Sequence, residues 1–189
     1  MSKVLLRKTI LARRLALSAS ELSAYGKAIQ GTFIALPEYQ AAASIALYTS
    51  VRNEVSTEDI IDHALLTGKD IFLPALDGDR MEFRQLVSRE RLMVGRFGIM
   101  EPEKGSDVAD VATIGMIVVP GVGFDLSGQR IGYGKGYYDR ALHVCEGSGR
   151  LTALCFECQI VDSLAGEKHD VVMDRIITER RIITPALLK

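Results

Sequence analysis

Hydrophobic and polar positions switch between helical and strand periods along the chain, and the switching predicts an order of elements. Leu5, Leu6, Ile10 and Leu11 leave an incomplete apolar stripe over Ser2–Ala16, which predicts a first helix. Ser18-Ala-Ser-Glu21 has the form of a capping box, and Leu22, Tyr25, Ile29, Phe33 and Leu36 follow at helical spacing. Pro37 is expected to close that helix, because proline has no N–H and clashes with the preceding turn. Ser44–Ser50 is a short apolar run and reads as a buried strand. Ser56-Thr-Glu-Asp59 opens another helix, with Ile60, Ile61, Ala64 and Leu65 facing a core and Gly68 marking its end. A strand returns at Asp70–Pro74, so residues 44–74 form a β-α-β unit whose crossover implies parallel pairing.

Further along, Met81–Leu86 alternates as an exposed or edge strand, and the polar stretch Gly95–Asp110 reads as a surface loop. Ile114–Pro120 is the strongest buried-strand signal in the chain. A helix is expected from Tyr137 or Tyr138 to Glu146, then a strand at Leu151–Phe156 and a final strand or turn-strand segment at Arg175–Ile183. Alternation of this kind predicts an α/β fold: one layered domain over residues 1–189, with a mostly parallel central sheet flanked by helices.

Composition narrows the function classes. The balance of 48% hydrophobic and 25% charged residues is that of a soluble globular protein. A formal net charge of −1 gives no global field for nucleic acid or an anionic membrane, although a local basic patch can still hold an anionic ligand. No apolar run reaches membrane-spanning length, and Met1–Arg14 lacks the apolar core of a signal peptide, so a cytoplasmic location is expected. Cys145, Cys155 and Cys158 are an odd set in or near apolar sequence, which fits buried thiols in a reducing compartment. Cys155 and Cys158 make a C-x-x-C, but it lies in a strand-like segment with no second pair to complete a zinc site.

The informative segment is Val119–Arg140, which leaves the C-terminal end of a buried strand, where open α/β sheets place ligands. Gly121, Gly123, Gly132, Gly134 and Gly136 allow a backbone that points several N–H groups at one oxyanion. The following helix would add its positive end, Arg130 and Lys135 supply charge, and Asp139 offers oxygen to a hard cation. The spacing fits neither common nucleotide fingerprint. A Walker loop needs glycine where Gln129 stands and Ser or Thr where Gly136 stands, and the dinucleotide pattern needs glycine where Tyr137 stands. From residue types alone, phosphate binding and ordinary turn geometry both remain open.

The string P-G-x-G-F-D-x-x-G-x-R-[IL]-G-x-G-K-G-Y-Y-D over Pro120–Asp139 resembles the signature of the 5-formyltetrahydrofolate cyclo-ligase family. Further blocks are similar to that family in the same order. They are Lys3-Val-Leu-Leu-Arg7, Tyr48-Thr-Ser-Val-Arg-Asn-Glu54-Val-Ser-Thr57 and Phe97-Gly-Ile-Met-Glu-Pro102, then Phe156-Glu-Cys-Gln159 and His169-Asp170-Val-Val-Met-Asp174-Arg-Ile-Ile-Thr178.

The resemblance implies ATP- and Mg²⁺-dependent closure of 5-formyltetrahydrofolate to 5,10-methenyltetrahydrofolate by a monomeric enzyme that uses neither nucleic acid nor membrane. It implies that Lys3 and Arg7 reach the ATP phosphates and that the loop Arg130, Gly132, Tyr133, Gly134, Lys135, Gly136, Tyr137 and Tyr138 holds the nucleotide. Lys135 and Arg130 would be the catalytic charges. Thr49 and Glu54 would contact the folate, as would Tyr133, Gly134, Lys135, Gly136 and Tyr137, and Asp139 and Asp170 would bind Mg²⁺. The chain departs from the family at Tyr133, where arginine is frequent, so a tyrosine would stack or hydrogen-bond there instead. Each residue also has a plain structural reading: Lys3 and Arg7 as a solvated helix face, Glu54 as a helix-entry acid, Tyr137 and Tyr138 as packing, His169 as a loop-orienting partner of Asp170, and His63 and His143 as surface residues. A catalytically silent folate- or RNA-binding relative and a different small-molecule kinase are the competing functions.

Overall fold

The computed structural model describes residues 2–167 and 169–185. In chain order the elements are α1 (Lys3–Leu15), α2 (Ala19–Ile34), α3 (Pro37–Ala41), β1 (Ser44–Ala46), α4 (Glu58–Leu66), β2 (Asp70–Asp77), β3 (Arg80–Gln85), β4 (Leu92–Val94) and β5 (Met100–Pro102). They continue with β6 (Val108–Ala109), β7 (Met116–Val119), β8 (Gly123–Asp125), β9 (Arg130–Ile131), α5 (Tyr137–Leu142), β10 (Leu151–Leu154), β11 (Ile160–Val161), β12 (Arg175–Ile177) and β13 (Ile182–Ile183). The predicted capping box forms: the Ser18 hydroxyl accepts from Glu21 N, and the Glu21 carboxylate accepts from Ser18 N at 2.8 Å. Pro37 does not act as a stop. The helix has already ended at Ile34, and Pro37 begins α3, where its missing N–H belongs to the unpaired first turn.

Eight strands form one mixed sheet in the order β13-β12-β10-β7-β1-β2-β3-β6. The pairs β2–β1, β1–β7, β7–β10 and β10–β12 are parallel, while β2–β3, β3–β6 and β12–β13 are antiparallel. The parallel centre and the unit β1–α4–β2 are as the periodicity predicts; of the antiparallel pairs, β2–β3 and β12–β13 are hairpins, whereas β6 joins β3 after the β4–β5 hairpin. Met81–Leu86 is not an edge, because β6 pairs outside β3. Gly95–Asp110 is not only loop: it contributes β5 and β6, strands too short to leave a period in the sequence. The strand after Ala43 is also shorter than expected, since only Ser44–Ala46 is regular before the chain turns into a loop.

Alternation along the buried strands divides the core. Met116 and Val118 of β7 pack with Ile45, Ile71, Phe33 of α2 and Ile60 of α4 on one face. Ile117 and Val119 pack with Ala153, Ile176, Leu142 of α5 and Met173 on the other. A small third cluster of Ile10, Val122, Ile131 and Leu164 lies under α1 and fixes that helix to the β8–β9 hairpin. The hairpin turn needs Gly128, which sits at φ +86° and would put a side chain 2.5 Å from the Met173 carbonyl. Gly128→Ala is therefore expected to destabilise the protein by roughly 2–4 kcal/mol, combining left-handed strain with a backbone clash. A lowered urea midpoint at unchanged slope would bear this out, and an unchanged midpoint would refute it.

Candidate active site

The position of the site follows from the sheet. From β1 the chain crosses through α4 to β2 on one side, whereas from β7 it proceeds to β10 and β12 on the other. Neighbouring parallel strands whose successors leave in opposite directions open a crevice at their C-terminal ends. Two loops enter it: residues 47–57 after β1 and residues 120–136 after β7.

The first loop is turned by Arg52 and Asn53, both non-glycine residues in the left-handed region at φ 49° and 58°. Such residues cost about 1 kcal/mol or more each and persist only where their surroundings hold them. Here the Tyr48 hydroxyl donates to Val55 O at 2.8 Å, and the Thr57 hydroxyl donates to Tyr48 O at 2.6 Å. The reversal turns Glu54 inward, where Val51 N donates to its Oε2 at 3.1 Å. The second loop is fixed from below. Asp125 accepts from the Ser127 hydroxyl, Gln129 N and Leu164 N, and Gln159 Nε2 donates to the carbonyls of Gly121 and Val122. Gly134 (φ 93°) and Gly136 (φ 65°) then carry the chain into α5 through conformations that side chains rarely adopt.

Side chains from α1 meet both loops. Lys3, Arg7, Ile10 and Arg14 recur at helical spacing, and of these Ile10 and Arg14 are buried. Lys3 Nζ pairs with Glu167 at 2.7 Å and Asp170 at 3.2 Å, and its hydrogen bond to Glu167 is the main cause of an ammonium pKa raised above 10.5. Arg7 Nε donates to Gly132 O at 2.7 Å. Arg14 Nη2 donates to the Tyr133 hydroxyl at 2.6 Å, and that hydroxyl donates to Glu54 Oε1 at 3.1 Å. Arg130 pairs with Asp139 Oδ1 at 2.5 Å, an oxygen that also accepts from Val171 N at 3.3 Å. Lys135 is exposed on the loop, and its carbonyl accepts from Arg140 at 3.0 Å. The Thr49 hydroxyl donates to Met100 O at 2.9 Å, which ties the first loop to the β4–β5 hairpin. That hairpin exposes Met93, Val94 and Phe97, with Phe97 in the left-handed region at φ 63°.

The structure thus links Lys3 to Asp170, Arg7 to Gly132 and Arg130 to Asp139, and joins Tyr133 to Glu54, while Thr49 turns to the β4–β5 hairpin. The helix after the glycine loop differs from expectation. It ends at Leu142, passes into a tighter turn at His143–Cys145, and at six residues adds little dipole. Tyr138 is packed inward with its hydroxyl pKa driven up by burial, and it lies against the Arg130 guanidinium. His63 is half-buried against Tyr39, whose hydroxyl lies 2.8 Å from His63 Nδ1, rather than free at the surface. Arg14 and the left-handed pair Arg52 and Asn53 are the site features that sequence reasoning missed. Arg14 stands four positions after the apolar Ile10, a basic residue in register with a buried face, and that register is a signal it carries.

A sequence model of the 5-formyltetrahydrofolate cyclo-ligase family matches residues 1–179. The chain belongs to that family. Among curated relatives it is 32% identical to the 5-formyltetrahydrofolate cyclo-ligase of Mus musculus over 92% of both chains. It is 26% identical to that of Escherichia coli K12 over 90% of this chain and 96% of the relative. In structure it is similar to a 5,10-methenyltetrahydrofolate synthetase from Aquifex aeolicus, with TM-score 0.88 and 32% identity over 97% of this chain and 93% of the other. A Mycoplasma pneumoniae 5,10-methenyltetrahydrofolate synthetase aligns with TM-score 0.76 and 27% identity over 95% of this chain and 99% of the other.

In this cyclo-ligase family member the buried carboxyl has a testable signature. Burial raises the Glu54 pKa above its ordinary 4.5, and the Val51 N–H, Arg14, Tyr133 and Arg52 offset this only in part. A raised carboxyl pKa favours folding with the proton on. Its contribution is fully present below the unfolded value and is lost as pH rises through the folded one. Wild type should therefore lose thermal stability relative to Glu54→Gln as pH rises above the ordinary carboxylate range. Parallel Tm–pH curves would show that Glu54 does not titrate in this window.

Proposed function

We propose that the chain catalyses ATP- and Mg²⁺-dependent cyclisation of 5-formyltetrahydrofolate to 5,10-methenyltetrahydrofolate, releasing ADP and phosphate. One observation carries the reading: the crevice at the ends of β1 and β7 sets a basic half (Lys3, Arg7, Arg130, Lys135) against a half with a buried acid and hydroxyls (Glu54, Tyr133, Thr49). A groove of about 580 Å³ along α1, lined by Lys3, Arg13, Arg130, Val161, Asp162 and Leu164, adjoins the basic half at Lys3 and Arg130. The other half suits a polar pterin, and the exposed Phe97 and Met100 offer apolar cover for the rest of a folate.

Asp139 and Asp170 fit Mg²⁺. Val171 N bonded to Asp139 sets the segment carrying Asp170 beside that acid, and Mg²⁺ takes one or two carboxylates together with phosphate oxygens. The ion would supply charge neutralisation of the triphosphate. Arg130, Lys135, Lys3 and Arg7 hold the phosphates and take up charge as it moves, with Gly132, Gly134, Gly136, Tyr137 and Tyr138 shaping the loop around them. Glu54, Thr49 and Tyr133 orient the pterin so that the formyl oxygen faces the γ-phosphorus. Oxygen–phosphorus bond formation releases ADP and turns a poor leaving oxygen into phosphate. N10, tethered in the same molecule, then attacks the formyl carbon and phosphate departs. No protein nucleophile is required. A cytoplasmic monomer is the matching cellular reading, and the three free thiols are compatible with a reducing compartment.

Purified protein mixed with Mg-ATP and 5-formyltetrahydrofolate should show the near-ultraviolet absorbance of the methenyl product, and the rise should vanish on chelation and return with added Mg²⁺. ATP consumption driven by another acceptor, without this rise, would favour a different kinase. Lys135→Ala should lower kcat by about 100-fold or more while leaving the melting curve unchanged, because its side chain is exposed. Undiminished turnover would remove Lys135 from the reaction.

A further inference from the structure

We infer that Arg14 is a positioning residue for the folate site: from the last turn of α1 it holds the Glu54 carboxylate aimed into the crevice, directly and through the Tyr133 hydroxyl. The inference rests on the cyclisation reading above. Arginine near a helix C-terminus ordinarily sends its guanidinium to solvent, yet Arg14 is 0% exposed. Its Nη1 donates to Gly121 O at 3.1 Å and lies 3.9 Å from Glu54 Oε1, and its Nη2 donates to the Tyr133 hydroxyl at 2.6 Å. Buried Nε has no hydrogen-bond partner among the described residues. Packing alone is better served by leucine or methionine, which bring no charge and no unpaired donor. What the guanidinium adds is a fixed positive charge behind a carboxylate that three elements must share.

The groups facing Glu54 can be named. Arg52 comes from its own loop and lies 5.4 Å from the Tyr133 ring centre. Tyr133 comes from the glycine loop, Tyr48 from the end of β1, Tyr138 from α5 and Arg14 from α1. Burial disfavours the ionised carboxyl; Val51 N, Arg14, the Tyr133 hydrogen bond and Arg52 favour it. Arg14 also fixes direction. Its two nitrogens span Gly121 and Tyr133, so the hydroxyl that meets Glu54 is itself held in place. The residue therefore links the helix bearing Lys3 and Arg7 to the loop that would orient the pterin.

The test is kcat/KM for 5-formyltetrahydrofolate against pH at saturating Mg-ATP, for wild type, Arg14→Gln, Arg14→Lys and Tyr133→Phe. Arg14→Gln should move the acid limb up by about one pH unit and raise KM about tenfold at mildly acidic pH, with kcat nearly retained. Arg14→Lys, which keeps the charge, should restore most of the limb, and Tyr133→Phe should shift it upward by less. A merely structural arginine would lower Tm in Arg14→Gln and leave the limb in place, which would overturn the inference. If Arg14→Gln does not fold, Tyr133→Phe decides alone, since its ring is 38% exposed: an upward shift supports the link and an unmoved limb overturns it. Wild type that makes no methenyl product refutes the cyclisation reading and the inference with it. An active wild type with unmoved variant limbs refutes the inference only.

Discussion

Parallel pairing of β1 with β7 is the constraint on which the rest depends. A parallel neighbour cannot be reached by a tight turn, so each strand must leave through a crossover, and here the two leave toward opposite ends of the sheet. The gap between their departing chains is where backbone is free to meet a ligand without disturbing the sheet's hydrogen bonds. The loop holding Glu54 follows β1 directly, and the glycine loop follows β7 by way of the β8–β9 hairpin. α1, which belongs to no crossover, closes the gap through Ile10, Val122 and Ile131. Moving either strand by one register position would turn the buried alternation of Ile117 and Val118 inside out, so core and site are specified together.

Charge in the crevice is organised as internal pairs. Lys3 meets Glu167 and Asp170, and Arg130 meets Asp139. The acids assigned to the cation and the cations assigned to the phosphates therefore hold one another. A magnesium–triphosphate would exchange these pairs for ligand contacts of the same sign, so the change in pairing energy on binding is smaller than the number of charges suggests. The partly exposed Lys3 pair has little to lose in the exchange, while the Arg130 pair is more enclosed and better suited to fixing geometry.

Much of the architecture was legible because its signals are periodic. The capping box at Ser18, the apolar run ending at Val119 and the crossover helix with Ile60 and Ile61 all appear where pattern puts them. Two-residue strands such as β6 and β9 have no period to detect, and antiparallel flanks depend on turns rather than on composition. For the candidate site, motif likeness names Lys3, Glu54, Arg130 and Asp139, but motifs name positions and not partners. That Tyr133 lies between Arg14 and Glu54 depends on a helix and two loops separated by many residues in sequence, and no local rule encodes such a meeting. The left-handed Arg52 and Asn53 were equally invisible, since neither is the glycine that usually announces such geometry.

The ends of the sheet have a consequence for self-association. An eight-stranded sheet with long outer strands would present a continuous ladder of unpaired N–H and C=O groups to any other copy. Here the two outermost strands, β6 and β13, are two residues long, and both run antiparallel to their neighbours. A template of that length offers few hydrogen bonds to an added strand. Brevity at both edges thus limits the ladder the described sheet can offer.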